Sequence, residues 1–214
     1  MAITERRSAP AGIESLRASP LVGQKMTVEE FLALPEEKPY LELIEGVVRQ
    51  KVSPTWDHGL LQFGFGRRID DFAQQHGLGV VVPENRFAQA NWVPVPDLSF
   101  YGWDRVPLLP DGTVRQDDWV PPDLAVEILS PGQSLKRLTQ KCAWFVEHGV
   151  RVTLLVHPRK RTVLILRAGA EVQTLTGAAQ IDLDDVLPGF TMTVDELFSL
   201  LILRRPAEGD RGAE

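Results

Sequence analysis

One six-residue run constrains this chain more than any other. Residues 124–129, LAVEIL, are apolar on both alternating faces except at Glu127. Successive side chains on a strand point to opposite faces, so a run apolar on both sides belongs in the middle of a sheet that is covered above and below. That requirement selects a layered α/β or α+β architecture with a mixed sheet. It also raises a question, because a carboxylate among apolar neighbours is costly unless it is paired, protonated or bound to a cation. Alternation places Glu127 on the face of Ala125 and Leu129, with Val126 and Ile128 on the other.

The flanking patterns supply the covering layers. Thr27 with Glu30, and Thr193 with Glu196, have the spacing of capping boxes, so short helices are expected after each threonine. Residues 40–52 read as two β segments turning at Glu45-Gly46. Leu61, Phe65, Ile69 and Phe72 recur at helical spacing over 55–75, where Gly64 and Gly66 could permit close packing. Strands are expected over 80–87, 98–101 and 124–129, with a long Pro-, Gly- and Asp-rich surface loop before the last. A helix over 134–148, with Leu135, Leu138, Cys142 and Phe145 on its buried stripe, precedes strands in VTLLVHP and TVLILR. The order from 55 to 156 is helix, three strands, helix, strand.

At 214 residues the chain suits one substantial domain, expected over 21–205. Residues 1–20 read as a disordered arm without the apolar segment of a secretory signal, and 206–214 as a flexible tail. No apolar run approaches the roughly 18 residues of a membrane helix. The single cysteine, Cys142, excludes an intrachain disulfide and a Cys-based zinc site, and suits a reducing cytoplasm. A net charge of −6 argues against coating nucleic acid by bulk electrostatics, leaving only local basic clusters such as Arg159–Arg161 for phosphate contacts.

Four residues stand out chemically. Asp97 follows Pro96 at a strand start, where it could turn toward the end of its neighbour and meet Glu127. Paired carboxylates repel unless a cation lies between them, and hard oxygen ligands suit Mg²⁺. Glu42, in YLELIEG, shares a face with Ile44, and Lys141 lies roughly 80° from the centre of its helix's apolar stripe, close enough to lean toward the sheet. Taken singly, each has a plainer reading: Glu127 pairing with Arg151, Asp97 capping a turn, Glu42 facing solvent, Lys141 snorkelling over the stripe.

As an ordered set these residues resemble a known family. Pro96-Asp97, then VEIL with Glu127, then a lysine on the next helix resemble the PD-(D/E)XK restriction-endonuclease-like superfamily. YLELIEG, VSPTWDHG, VPDLSF, DLAVEILSPG, Lys141 and GVRVTLLVHP together resemble the Uma-two family of endonucleases, over about 26–198. The resemblance implies a restriction-endonuclease-like αβββαβ core carrying an N-terminal helix and β-hairpin. It further implies Mg²⁺, or Mn²⁺, on Asp97 and Glu127, a catalytic set of Glu42, Asp97, Glu127 and Lys141, and cleavage of nucleic acid, DNA in particular. A homodimer fits an enzyme that cuts both strands. Departures from the family pattern are Arg137, where an acidic residue is common, Phe145 for a tyrosine and His157 for an aspartate.

Other candidates are weaker. Cys142 falls on a buried stripe, where its thiol stays protonated. His58 is expected at a surface or capping position, although it could touch a phosphate or metal. Trp92, Trp103 and Trp119 lie near Asp97 in sequence and could stack on bases or be buried. Two rival readings are a binding module that keeps the fold without turnover, and a two-carboxylate glycosidase, for which no other sugar-site feature is present.

Overall fold

The computed structural model describes residues 18–117 and 119–203. The expected tail over 206–214 and most of the expected arm over 1–20 lie outside these residues. Ser19, at the end of that arm, is buried, and its hydroxyl donates to Glu37 Oε1 at 2.6 Å.

The elements run α1 (Val28–Leu32), β1 (Leu41–Ile44), β2 (Val47–Gln50), α2 (Trp56–Gln75), β3 (Gly79–Pro83), β4 (Leu98–Gly102) and β5 (Leu124–Ile128). They continue as α3 (Leu135–Glu147), β6 (Val152–His157), β7 (Thr162–Arg167), β8 (Gln173–Thr176) and α4 (Val194–Ser199). Strands β3 to β8 form one mixed sheet in sequence order, in which only β5 and β6 pair in parallel, joined by the α3 crossover. The restriction-endonuclease-like αβββαβ core, with its N-terminal helix and hairpin, is therefore the observed fold.

Strand β5 is buried along its whole length, as its composition requires. Leu124, Val126 and Ile128 join the core formed with Leu61, Phe65 and Ile69 of α2 and Leu197 and Phe198 of α4. Each such large apolar side chain contributes roughly 1.5–3 kcal/mol on burial. Ala125 faces the other way, against Phe145 of α3. Gly66 lets α2 approach closely, since a Cβ there would come within 2.9 Å of Leu98 Cδ2. Both capping boxes form, at Thr27–Glu30 and Thr193–Glu196.

Two expectations about strands need correction. The strand expected over 80–87 stops at Pro83, because Pro83 is followed by Glu84 in the left-handed region at φ 51°, which turns the chain off the sheet. Strand β8 went unexpected, since QTLT is largely exposed and has no apolar alternation to betray it.

Candidate active site

The register of the sheet brings the acids together. Leu98 stands opposite Val126 in the antiparallel β4–β5 pair, so continuing by one residue sets Asp97 across from Glu127. Asp97 cannot extend the ladder backward, because Pro94 and Pro96 have no N–H to donate. Its carboxylate instead takes up a donor of the neighbouring strand: Asp97 Oδ2 accepts from the Ile128 N–H at 2.7 Å.

The hairpin delivers the next two groups. Its Glu45-Gly46 turn, with both residues at positive φ, sets Glu42 opposite Arg49. Leu43 and Val93 exchange backbone hydrogen bonds, which dock the hairpin onto the segment leading into β4. Val95, between the two prolines, then has both backbone groups satisfied by hairpin side chains: its N–H donates to Glu42 Oε1 at 2.7 Å, and its carbonyl accepts from Lys51 Nζ at 2.8 Å. Lys51 Nζ also lies 2.6 Å from Asp97 Oδ1.

Helix α3 contributes Lys141, which is buried with its ammonium 2.6 Å from both Glu42 Oε1 and Glu127 Oε1. The two contacts differ in quality. Lys141 donates a well-directed hydrogen bond to Glu42, whereas Glu127 Oε1 is buried without a hydrogen-bond partner and has only the ionic contact. Phe145 lies under the ammonium, 5.5 Å from ring centre to Nζ. Glu42, Asp97, Glu127 and Lys141 thus converge from β1, the start of β4, β5 and α3. The plainer pairing of Glu127 with Arg151 does not occur, as Arg151 turns to Asp123.

Two members of the cluster were missed by sequence reasoning. Lys51 was one, although the hairpin register places position 51 on the face of Glu42, the signal that would have found it. His58 is the other, and the surface or capping expectation is corrected: it is buried, with Nδ1 3.0 Å from Ser130 Oγ and Nε2 3.4 Å from Asp97 Oδ1. One turn on, Gln62 donates to the Asp97 carbonyl at 2.8 Å, so α2 grips both ends of that residue. Trp92 is not a free stacking surface either; it is buried against Trp144, ring centres 4.3 Å apart.

Burial and charge pull these groups in different directions. Burial drives the Glu127 carboxyl up to about 7, because Lys141 is shared with Glu42 and Asp97 adds repulsion. Burial acts the same way on Asp97, but Lys51 and His58 outweigh it and hold that carboxyl well below the usual range. Burial disfavours charge on Lys141, yet Glu127 and Glu42 overcome it and raise the ammonium's pKa, so it stays protonated. The Cys142 thiol is pushed well up by burial, as expected of a packing residue.

Among the described residues no three His, Cys, Asp or Glu side chains form a ready-made metal cluster. The donor set nonetheless fits a hard divalent cation, through the carboxylates of Asp97 and Glu127, the latter held at Oε1 only by the ionic contact with Lys141. A cleft of about 340 Å³ lined by Lys51, His58, Glu84 and Asp97 opens the cluster to solvent. No helix among the described residues is long and apolar enough to cross a membrane.

Comparison with known proteins agrees with this architecture. The family model Uma2, described as "Putative restriction endonuclease", matches residues 28–195. A crystal structure described as "a putative nuclease belonging to DUF820", from Anabaena variabilis, superimposes with a TM-score of 0.79 at 29% identity, covering 83% of this chain and 99% of that one. No curated protein matches the chain.

Proposed function

The chain belongs to the Uma2 family, and from that membership together with its acid–lysine cluster we propose that it is a metal-dependent endonuclease that hydrolyses phosphodiester bonds, with DNA as the expected substrate. The observation that carries this reading is the convergence of the buried acids Asp97 and Glu127, with Lys141 2.6 Å from Glu127 Oε1 as that oxygen's sole polar contact among the described residues. Asp97 and Glu127 hold the cation, Mg²⁺ or Mn²⁺. Such an ion supplies Lewis acidity, lowering the pKa of water and offsetting charge that develops on the phosphodiester. Lys141, kept protonated by its two carboxylates, orients or polarises the attacking water. Glu42 is a positioning residue, fixing Lys141 through the better-directed of its two contacts. Lys51 neutralises Asp97 and borders the cleft through which a phosphate would enter.

The test is cleavage of DNA by pure protein with Mg²⁺ or Mn²⁺. Activity should disappear with chelator and fall at least about a hundredfold in Glu127→Ala, the scale expected when a preorganised electrostatic group is removed. Equal cleavage by Glu127→Ala would assign the activity elsewhere. One observation favours a second reading, a binding module without turnover: Lys51 and Lys141 already neutralise the acids. That reading predicts salt-sensitive nucleic-acid binding that survives chelator, and no cleavage with any divalent ion.

A further inference from the structure

Beside the acid–lysine cluster lies a second cavity, of about 630 Å³. It sits on the sheet face that carries Glu127. Val80 and Val82 of the edge strand β3 line it, and Val80 pairs across the ladder with Tyr101, a third lining residue. Tyr40 and Glu84 line both this cavity and the cleft that reaches Asp97, so the two spaces adjoin.

The lining has a specific chemistry. Two arginines, Arg86 and Arg115, are matched by two glutamates, Glu36 and Glu84. A surface that tracks a phosphate backbone needs a surplus of cations, which this cavity lacks. What it offers is apolar walls, the aromatic residues Tyr101 and Trp119, and a few fixed polar groups. Asn85 donates to Tyr101 Oη at 2.9 Å, and Tyr101 Oη lies 3.4 Å from the Val120 carbonyl, so both side chains are held in place. The Asn85 amide still has an acceptor oxygen and a second N–H to present to a base edge. The volume lies within the roughly 300–1,000 Å³ of small-ligand sites, room enough for a single nucleotide.

We propose that this cavity receives one unstacked nucleobase of the strand being cut, so that the protein favours single-stranded or unpaired nucleic acid over blunt duplex. The inference rests on the nuclease reading for its substrate class, and aromatic stacking gives such a pocket affinity without strict sequence preference.

Equilibrium binding measured in EDTA separates this inference from catalysis. Fluorescein-labelled single strands of DNA and of RNA, and a blunt duplex of the same sequence, are titrated with full-length wild-type protein. Single strands should bind about tenfold more tightly than duplex, and the DNA and RNA arms show which sugar is preferred. Trp119→Ala should remove most of that advantage. So should Val114→Trp, which fills the cavity from a partly exposed lining position, with duplex binding and melting temperature unchanged. Equal binding of single strand and duplex, no binding of either, or an advantage that survives in both folded variants would overturn the pocket. Absence of Mg²⁺-dependent cleavage alongside an intact, variant-sensitive preference would instead overturn the nuclease reading alone.

Discussion

At the scale of single residues, Glu127 and Lys51 make opposite demands on the folded state. The Glu127 carboxyl rises from 4.5 to about 7 on folding, so between those values the native protein binds a proton that the unfolded chain has released. Stability therefore falls as pH rises through that window and is flat above it. Glu127→Gln lacks the titration, so wild type should lose stability relative to this variant between about pH 4.5 and 7, by on the order of a few kcal/mol. Denaturant midpoints of the two proteins across this range check the sign; a difference that does not change with pH contradicts it. Lys51 works the other way, because removing it strands the buried Asp97 carboxylate. Lys51→Ala should cost about 3–5 kcal/mol, the scale for breaking one half of a buried pair. Millimolar Mg²⁺ should then raise the melting temperature of Lys51→Ala more than that of wild type, as the ion replaces the lost charge; equal shifts would argue against a cation at Asp97. Of the cluster, Glu127 was legible because it interrupts an apolar strand, whereas Asp97, Glu42 and Lys141 each had a plainer reading alone and were legible only as an ordered set resembling a known family. Lys51 and His58 break no pattern, and their importance appears only once distant segments meet Asp97.

At the scale of elements, local rules account for most of what forms. The two capping boxes, the α2 stripe and the Glu45-Gly46 turn follow from short-range sequence signals, and all are present. Two boundaries escaped those rules. Pro83 and the left-handed Glu84 end β3 early, while β8 exists because β7 offers its edge, a partner no local pattern reveals. The close seat of β3 against β4 yields a further prediction. A Cβ on Gly79 would collide with the Tyr101 carbonyl and crowd Phe100, both backbone and core atoms with little room to move. Gly79→Ala should therefore destabilise the fold by about 1–3 kcal/mol, the cost of overpacking, and should loosen the edge strand that walls the second cavity. Chemical denaturation measures the first effect, and an unchanged midpoint would mean that β3 shifts freely.

At the scale of the whole molecule, the sheet acts as the ruler that assembles the site. One residue past the paired run of β4 and β5 sets two acids side by side, the α3 crossover brings Lys141 to Glu127, and the hairpin closes the cluster from outside the sheet with Glu42 and Lys51. The layered class and the order of the core were legible from one doubly apolar strand and the helices on either side of it. The hairpin's docking on residues 93–95 was not, since it depends on the Leu43–Val93 backbone bridge and on the Glu42 and Lys51 side chains reaching Val95, contacts that no local pattern reveals. We propose that this assembly is a divalent-cation site. The most direct measurement is anomalous diffraction from a crystal soaked in Mn²⁺ at pH 8, where Glu127 is ionised. One manganese should be bound by carboxylate oxygens of Asp97 and Glu127 at about 2.1 Å, with Lys51 displaced from Asp97 Oδ1. Lysines 51 and 141 still clasping the acids, with no manganese between them, would contradict it.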